Sequence, residues 1–270
     1  MSQTCVTILG DMEGITGISS WDQVTAGKDE YGYGRRLYTS DISAAVRGCK
    51  AAGVGRIVAQ DGHGAGGSNS FRSWLVDSLE PGAEYVLGHR WAAYVESLES
   101  GCEAVLLIGQ HAMAGAVSCL SHTISGSILN FRLNGTAVSE TVLLAGIAGH
   151  FGVPVAMISG DDVVCAHARS VLGDELATAV VKHSTGRFSV RSLCAADGAE
   201  LIEQTVADCL RRGQFCAPYV PAGPVELRVE LRQPEDRRAY LDGRDTAEDG
   251  REVVAVGADF YEAWRKIWPY

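Results

Sequence analysis

The residues best suited to chemistry in this 270-residue chain are carboxylates and imidazoles that follow short apolar runs. Asp11 and Glu13 follow the first run, Val6–Gly10, and His63 and His111 follow the next two in the same way. Carboxylate oxygens and neutral imidazole nitrogens are common ligands of zinc and similar divalent metals. Two such ions side by side lower the pKa of water and polarise a carbonyl. The pattern therefore favours a two-metal hydrolase.

The apolar runs are predicted to be buried β-strands, because they are short and continuous. They are Val6–Gly10, Arg56–Gln60, Glu103–Ile108 and Val153–Ile158. The stretches with helical spacing between and after them are Thr39–Ala52, Trp91–Leu98, Ser139–Phe151 and Val163–Val171. This alternation predicts a three-layer α/β domain with a mainly parallel sheet covered on both faces. Ligands of such sheets bind at the carboxyl ends of the strands, where the carboxylates and imidazoles lie.

Local signals predict where one helix ends and where a hairpin turns. Ser40 or Asp41 is expected to cap the helix Thr39–Ala52, because a short polar side chain there accepts hydrogen bonds from free N–H groups. Gly53 is expected to end that helix. Farther on, Asn134-Gly135 follows an alternating stretch and is a strong signal for a two-residue turn. We therefore expect a β-hairpin insertion there.

The last part of the chain has a different pattern. Ala199–Arg212 and Asp259–Trp268 have amphipathic helical spacing, while Val225–Leu231 alternates as a strand does. We therefore predict two parts. Residues 1–190 would form the metal-binding α/β catalytic domain, and residues 191–270 a smaller C-terminal α+β region.

Composition limits the partners and the compartment. The formal net charge of −10 argues against binding of nucleic acid or of an anionic membrane surface. The eight cysteines are scattered, with no Cys-x-x-Cys pair, which is typical of reduced thiols inside a cell. No signal peptide or membrane span is evident in the sequence. We expect a soluble, cytoplasmic protein.

Each motif, taken alone, also has an ordinary structural explanation. Asp11 and Glu13 could form a solvated acidic turn, and His63 could lie in a polar glycine-rich loop. His111 could be a hydrogen-bonded core histidine, and Glu140 could simply cap a helix. Two other catalytic classes are not supported, because neither a Gly-x-Ser-x-Gly elbow nor a Gly-x-Gly-x-x-Gly loop after the first strand is present.

Taken together and in order, the motifs resemble those of the zinc-dependent D-aminopeptidase family. The motifs that carry the resemblance are Asp11-Met12-Glu13-Gly14-Ile15, Asp61-Gly62-His63, Gly109-Gln110-His111-Ala112, Ser121-His122-Thr123, Glu140, Ile158-Ser159-Gly160-Asp161-Asp162 and Val181-Lys182. The resemblance extends to about Leu210. Gln110 departs from the family, which has a bulkier aromatic residue there.

The resemblance implies a metal-binding role for five residues. Asp11 would bridge two zinc ions, Glu13 and His63 would complete one site, and His111 and Glu140 would complete the other. Manganese or cobalt would also suit ligands of this mixed kind.

The resemblance also gives His122 a catalytic role, which we interpret as acid/base catalysis or stabilisation of an oxyanion; a nucleophilic role is the alternative. Asp161, Asp162 and Lys182 are candidates for binding the substrate amine or carboxylate, or for supporting the metal ligands.

The implied activity is the release of an N-terminal D-amino acid from a small peptide or amide. The resemblance also implies a homo-oligomer, for which a decameric ring is one form. The alternatives are another small-amide amidohydrolase, a two-metal phosphoesterase, and a non-catalytic binding protein. A phosphoesterase would be expected to add Lys or Arg near the metals, and the motif loops are poor in both.

Overall fold

The computed structural model describes residues 4–89, 95–239 and 247–268. Its strands are β1 (Cys5–Gly10), β2 (Arg56–Asp61), β3 (Glu84–Val86), β4 (Ala104–Gln110), β5 (Ile128–Leu133), β6 (Thr136–Ala137), β7 (Val155–Asp161), β8 (Ala177–Gly186), β9 (Ser189–Ser192), β10 (Val225–Leu231), β11 (Ala247–Asp249) and β12 (Glu252–Gly257). Its α-helices are α1 (Trp21–Val24), α2 (Tyr31–Ala51), α3 (Glu96–Glu99), α4 (Glu140–His150), α5 (Asp162–Leu172), α6 (Ala195–Arg212) and α7 (Phe260–Ile267).

The main sheet has seven strands in the order β3-β2-β1-β4-β7-β8-β9, and all neighbours are parallel except the edge strand β9. Its central strands are almost entirely buried, as expected for a parallel sheet with two covered faces. The four strands predicted from the sequence are β1, β2, β4 and β7. The mainly parallel sheet is confirmed.

Two apolar cores lie on opposite faces of this sheet, because successive residues of a strand point to opposite sides. On one face, Ile8 and Leu106 belong to the core that includes α2 and α6. On the other face, Val105 and Leu107 belong to the core that includes α4 and α5. The predicted three-layer α/β architecture is therefore confirmed.

The helix predicted over Thr39–Ala52 begins earlier, at Tyr31, so the proposed caps Ser40 and Asp41 are wrong. Asp41 lies inside the helix, where its carboxylate accepts hydrogen bonds from the backbone N–H and the hydroxyl of Thr16. Tertiary contacts thus satisfy a polar side chain that local spacing assigns to a cap. The predicted end is confirmed, because Gly53 follows the helix with a φ of 82°.

The predicted hairpin is present, with Asn134 and Gly135 both at positive φ between β5 and β6. Strand β5 also pairs with β10, and the second sheet has five antiparallel strands in the order β11-β12-β10-β5-β6. The hairpin insertion and the C-terminal strands therefore belong to one sheet. Trp264 of α7 packs in the same core as Phe131 of β5.

The boundary near residue 190 stays a prediction. Strand β9 runs from Ser189 to Ser192 in the main sheet, and α6 packs against α2. The predicted helix Trp91–Leu98 lies partly outside the described residues, and its described end forms α3. In the described part of the chain, no helix is both long enough and apolar enough to span a membrane.

Candidate metal centre

The register of the main sheet brings the ends of three strands to one edge. Gly10 pairs with Asp61 of β2 and with Ile108 of β4, so all three strands end at nearly the same level. The residues that follow them, Asp11 and His63 among them, therefore leave the sheet side by side. This is the crevice in which parallel sheets bind ligands.

Gly14 allows the loop after β1 to lie against the end of β4. A Cβ atom at position 14 would lie 1.8 Å from the carbonyl oxygen of Gln110, so only glycine fits. The Gly14 N–H donates to the carbonyl of Gly109, which fixes the loop at this close approach. The turn at Gly14 thus brings Glu13 to the same edge as His111.

Five side chains predicted as metal ligands meet at this edge, and all are buried. His111 Nε2 lies 3.3 Å from Asp11 Oδ2 and 3.1 Å from Glu140 Oε1. His63 Nε2 lies 3.3 Å from Glu13 Oε1. Two overlapping groups have ligand atoms within 4.8 Å of one another: Asp11, Glu13 and His111 form one, and His111, His122 and Glu140 form the other.

The histidines are oriented by their second ring nitrogen. His111 Nδ1 lies 3.0 Å from the carbonyl oxygen of Ala112, and His122 Nδ1 lies 2.8 Å from that of Leu120. Because a carbonyl oxygen only accepts hydrogen bonds, Nδ1 carries the proton in both rings. In the neutral tautomer, Nε2 of each ring therefore presents a lone pair to the cluster.

Asp61 positions the His63 loop. Its carboxylate accepts hydrogen bonds from the backbone N–H groups of His63 and Ser73, while Ser73 Oγ lies 3.3 Å from His63 Nδ1. The hydroxyl of Tyr38 donates to the same carboxylate. Sequence reasoning placed Asp61 at a strand end but assigned it no role, because these contacts join distant parts of the chain.

Burial and charge act together on the ionisation of the cluster. Burial and the neighbouring Glu13 raise the pKa of Asp11 to about 7. Burial opposes ionisation of Glu13, but the imidazole of His63 outweighs it and holds the pKa of Glu13 well below its usual range. Burial also disfavours the charged form of His63, yet Glu13 raises the pKa of His63 to about 9. Ionisation of the buried carboxylates thus depends on nearby positive charge.

The donor set fits a bound cation. Three carboxylates share one buried site, and among the described residues Glu13 Oε2 has no hydrogen-bond partner. A buried carboxylate oxygen without a partner carries a large desolvation cost, which a cation would offset. Oxygen and imidazole nitrogen together suit zinc and its divalent neighbours.

His122 lies beside the cluster and is held from both sides. Its ring stacks on His111, with centroids 4.0 Å apart and an interplanar angle of 6°, and the edge contact with Trp21 has a centroid distance of 5.2 Å. Burial and the charge on His111 lower the pKa of His122. The flanking residues Leu120 and Ile124 both have positive φ, a strained conformation that often marks functional loops.

Lys182 supports the cluster from behind. Its buried Nζ donates to the carbonyl oxygens of Glu13, Ile15 and Ile18, at 2.5, 3.0 and 2.7 Å. All three ammonium protons are therefore used to hold the loop that carries Glu13. This geometry favours the supporting role that was one alternative for Lys182.

Asp161 and Asp162 make structural contacts. Asp161 accepts hydrogen bonds from the N–H groups of Val163 and Val164, as the N-cap of α5. Asp162 accepts from the N–H of Ser184. Neither residue is among the described residues that line the cavity at the cluster.

A cavity of about 90 Å³ opens onto the cluster. Besides the six candidate residues, its wall includes the apolar side chains of Phe71, Ile124 and Trp268. Trp268 follows α7, so the C-terminal part of the chain contributes to the site. No sequence signal indicated this, because the contact depends on how the two sheets pack.

The fold and the buried carboxylate–imidazole cluster define a class, the metal-dependent hydrolases built on a parallel α/β sheet. The family model for D-aminopeptidases, peptidase M55, matches residues 5–268. The chain belongs to this family. The predicted family resemblance and the predicted enzyme class, an aminopeptidase that hydrolyses peptide or amide bonds, are confirmed.

Two similar proteins carry the same description. A D-aminopeptidase from Bacillus subtilis (strain 168) is 28% identical over 222 residues, which is 82% of this chain and 79% of that protein. The solved structure of the Zn-dependent D-aminopeptidase DppA from Bacillus subtilis, described as a self-compartmentalizing protease, matches with a TM-score of 0.87. That match covers 97% of this chain and 95% of the other, at 25% identity.

Proposed function

We propose that this aminopeptidase uses two zinc ions to release an N-terminal D-amino acid from a small peptide or amide. The observation that carries the proposal is a single buried cavity faced by three carboxylates and three imidazoles, with one carboxylate oxygen left without a partner among the described residues. The zinc dependence of the related DppA supports the choice of metal.

The five ligands divide naturally into two sites. Glu13 and His63 are paired at 3.3 Å and would hold one ion, while His111 and Glu140 are paired at 3.1 Å and would hold the other. Asp11 is grouped with one member of each pair, Glu13 and His111, with ligand atoms within 4.8 Å, and would bridge the two ions. When bound, such ions polarise a carbonyl and lower the pKa of water.

His122 is the proposed acid/base residue. Its Nδ1 donates to the Leu120 carbonyl, so Nε2 of the neutral ring is free to take a proton, and Nε2 faces the cavity 4.0 Å from Glu13 Oε1. Nε2 would accept the proton that the attacking water loses and then deliver it to the leaving amine. This assignment is favoured over an oxyanion donor, because Nε2 carries no hydrogen in that tautomer.

A two-metal phosphoesterase is the main rival and is less well supported. Such enzymes place cationic side chains against the transferred phosphoryl group. No Lys or Arg is among the described residues that line the cavity at the cluster. Amidohydrolysis of another small amide remains compatible with the same site, since the carboxylates and imidazoles do not select the leaving group.

The cellular setting is also part of the proposal. All eight cysteines are free thiols, which suits the reducing cytoplasm. We propose a homo-oligomer, with a decameric ring as the expected form, because the related DppA is described as self-compartmentalizing. Sedimentation of the purified chain would measure the assembly directly.

The activity test compares zinc-loaded and chelator-treated protein on three substrates: a D-aminoacyl anilide, its L enantiomer and a phosphate monoester. We expect zinc-dependent cleavage of the D-anilide, weaker cleavage of the L-anilide and none of the ester. Cleavage of the ester alone would support the rival. Equal rates with and without zinc would contradict the proposal.

A further inference from the structure

A second cavity, of about 340 Å³, adjoins the candidate metal centre and shares His122 with it. Trp21, which packs against His122, also lines this cavity. Two arginines line it as well, Arg187 in the turn between β8 and β9 and Arg232 just after β10. A cationic cavity therefore lies next to an acidic one, with His122 on the wall of both.

Both arginines are tied by backbone hydrogen bonds to the segment that carries His122. The N–H of Leu120 donates to the Arg187 carbonyl at 3.0 Å, and the N–H of Arg232 donates to the Ser127 carbonyl at 2.7 Å. Their positions relative to His122 are thus set by main-chain contacts on both sides of it. Two elements far apart in sequence are held against one catalytic segment.

The side chains of these arginines are available to a ligand. Other arginines of this acidic chain pair with carboxylates, as Arg56 does with Glu84 and Arg228 with Glu252. Within the described ranges, neither Arg187 nor Arg232 has an ion-pair partner. Arg187 lies over the ring of Phe188, at 5.6 Å, which uses its flat face and leaves the N–H edge for hydrogen bonds.

We propose that Arg187 and Arg232 bind the free C-terminal carboxylate of a short peptide substrate. The inference rests on the proposed function: with the scissile carbonyl at the metal centre, the residue after it passes His122 and enters the cationic cavity. Guanidinium groups bind carboxylates through two parallel hydrogen bonds, which fixes both charge and orientation. A short peptide with a free C-terminal carboxylate is therefore expected to bind better than the corresponding C-terminal amide.

The test compares D-alanyl-glycine with D-alanyl-glycinamide, which differ only in the terminal carboxylate. In the zinc-loaded wild type, we expect kcat/KM to be at least tenfold higher for the acid, mainly through KM. R187Q and R232Q should each lose about tenfold on the acid and little on the amide, as expected for loss of a charge-assisted hydrogen bond. The control is R211Q, because Arg211 lies exposed on α6 and pairs with Asp208.

Three outcomes are decisive. Equal kcat/KM for acid and amide in the wild type would overturn the carboxylate subsite while leaving the proposed aminopeptidase intact. Equal losses on both substrates in the variants would also overturn it. If neither peptide is cleaved, the proposed function fails, and calorimetric binding of the two peptides still decides the subsite: the acid must bind at least tenfold more tightly, and the variants must lose that preference.

Discussion

The imidazole rings of His111 and His122 lie parallel, with centroids 4.0 Å apart, although only His111 is close to both Asp11 and Glu140. The stacked pair thus joins a candidate ligand to the candidate acid/base residue. Because His122 is stacked on a candidate ligand, its loss could affect activity through the metal or through proton transfer, and a suitable substitution separates the two effects.

H122F keeps a flat ring against His111 but removes the nitrogen that is proposed to take the proton. We expect the variant to keep its zinc and to lose about 10²–10⁴ in kcat, the usual contribution of a general acid/base group. Zinc content and kcat should be measured on the same preparation. H150F is the matched control, since His150 stacks on Tyr261 and is partly exposed. Loss of zinc from H122F would instead indicate that His122 is a metal ligand, in keeping with its grouping with His111 and Glu140.

K182M tests the support behind Glu13. Methionine matches the length of lysine but leaves the carbonyls of Glu13, Ile15 and Ile18 without their donor. We expect zinc affinity to fall about 10–100-fold, as for other residues that hold metal ligands. The free energy of unfolding should fall by about 1–3 kcal/mol, because buried carbonyl oxygens lose their hydrogen-bond donor. Competition with a zinc chelator measures the affinity. The control is K28M, because Lys28 is exposed. An unchanged zinc affinity in K182M would contradict the supporting role.

Asp41 should make stability depend on pH. Burial raises the pKa of Asp41 to about 6, despite its hydrogen bonds from Thr16 and the nearby charge of Lys182. The folded state therefore binds this proton more tightly than the unfolded state, whose pKa is near 3.8. The resulting stabilisation is complete below pH 3.8 and is lost as pH rises through about 6, with a total of up to about 3 kcal/mol.

The measurement is the free energy of unfolding by urea between pH 4 and pH 7.5, for wild type and D41N. The amide of D41N can still accept both hydrogen bonds from Thr16 but does not titrate in this range. We expect the stability of D41N relative to wild type to rise with pH across this interval. As a control, D208N changes an exposed residue, and its free energy of unfolding should depend on pH in the same way as that of the wild type. A constant difference between D41N and wild type would show that Asp41 does not titrate there.

Trp268 should limit the size of the N-terminal residue. It lines a cavity of only about 90 Å³ and stacks on Trp264, with centroids 5.7 Å apart. W268A should enlarge the space beside the candidate metal centre, so kcat/KM for a D-leucyl amide should rise relative to that for a D-alanyl amide. The exposed Y33A serves as control. An unchanged ratio of the two rates would mean that another wall sets the size limit.

Local pattern was sufficient to predict the parallel sheet and the hairpin. The continuous apolar runs became β1, β2, β4 and β7, and Asn134-Gly135 forms the turn between β5 and β6. Since parallel strands end at one edge, the polar residues after three of them could be expected to converge. The proximity of Asp11 and His111 could therefore be predicted, although the two residues lie far apart in the sequence.

Contacts that depend on packing could not be predicted. Helix α2 begins at Tyr31 although Gly32 and Gly34 are poor helix formers, because the helix is stabilised by burial against the sheet. The contacts of Lys182 with three carbonyl oxygens follow from long-range packing, for which periodicity carries no signal. The same is true of the position of Trp268 beside the cluster. The assigned metal and catalytic roles of the site residues remain proposals.

The most direct test of the central claim is the zinc content of the purified chain and of its E140A variant, measured by elemental analysis alongside the rate on D-alanyl-glycine. We expect two zinc ions per chain in the wild type, and in E140A the loss of at least one zinc ion with most of the activity. The surface variant E200Q should match the wild type. An E140A protein with full zinc and full activity would contradict the account.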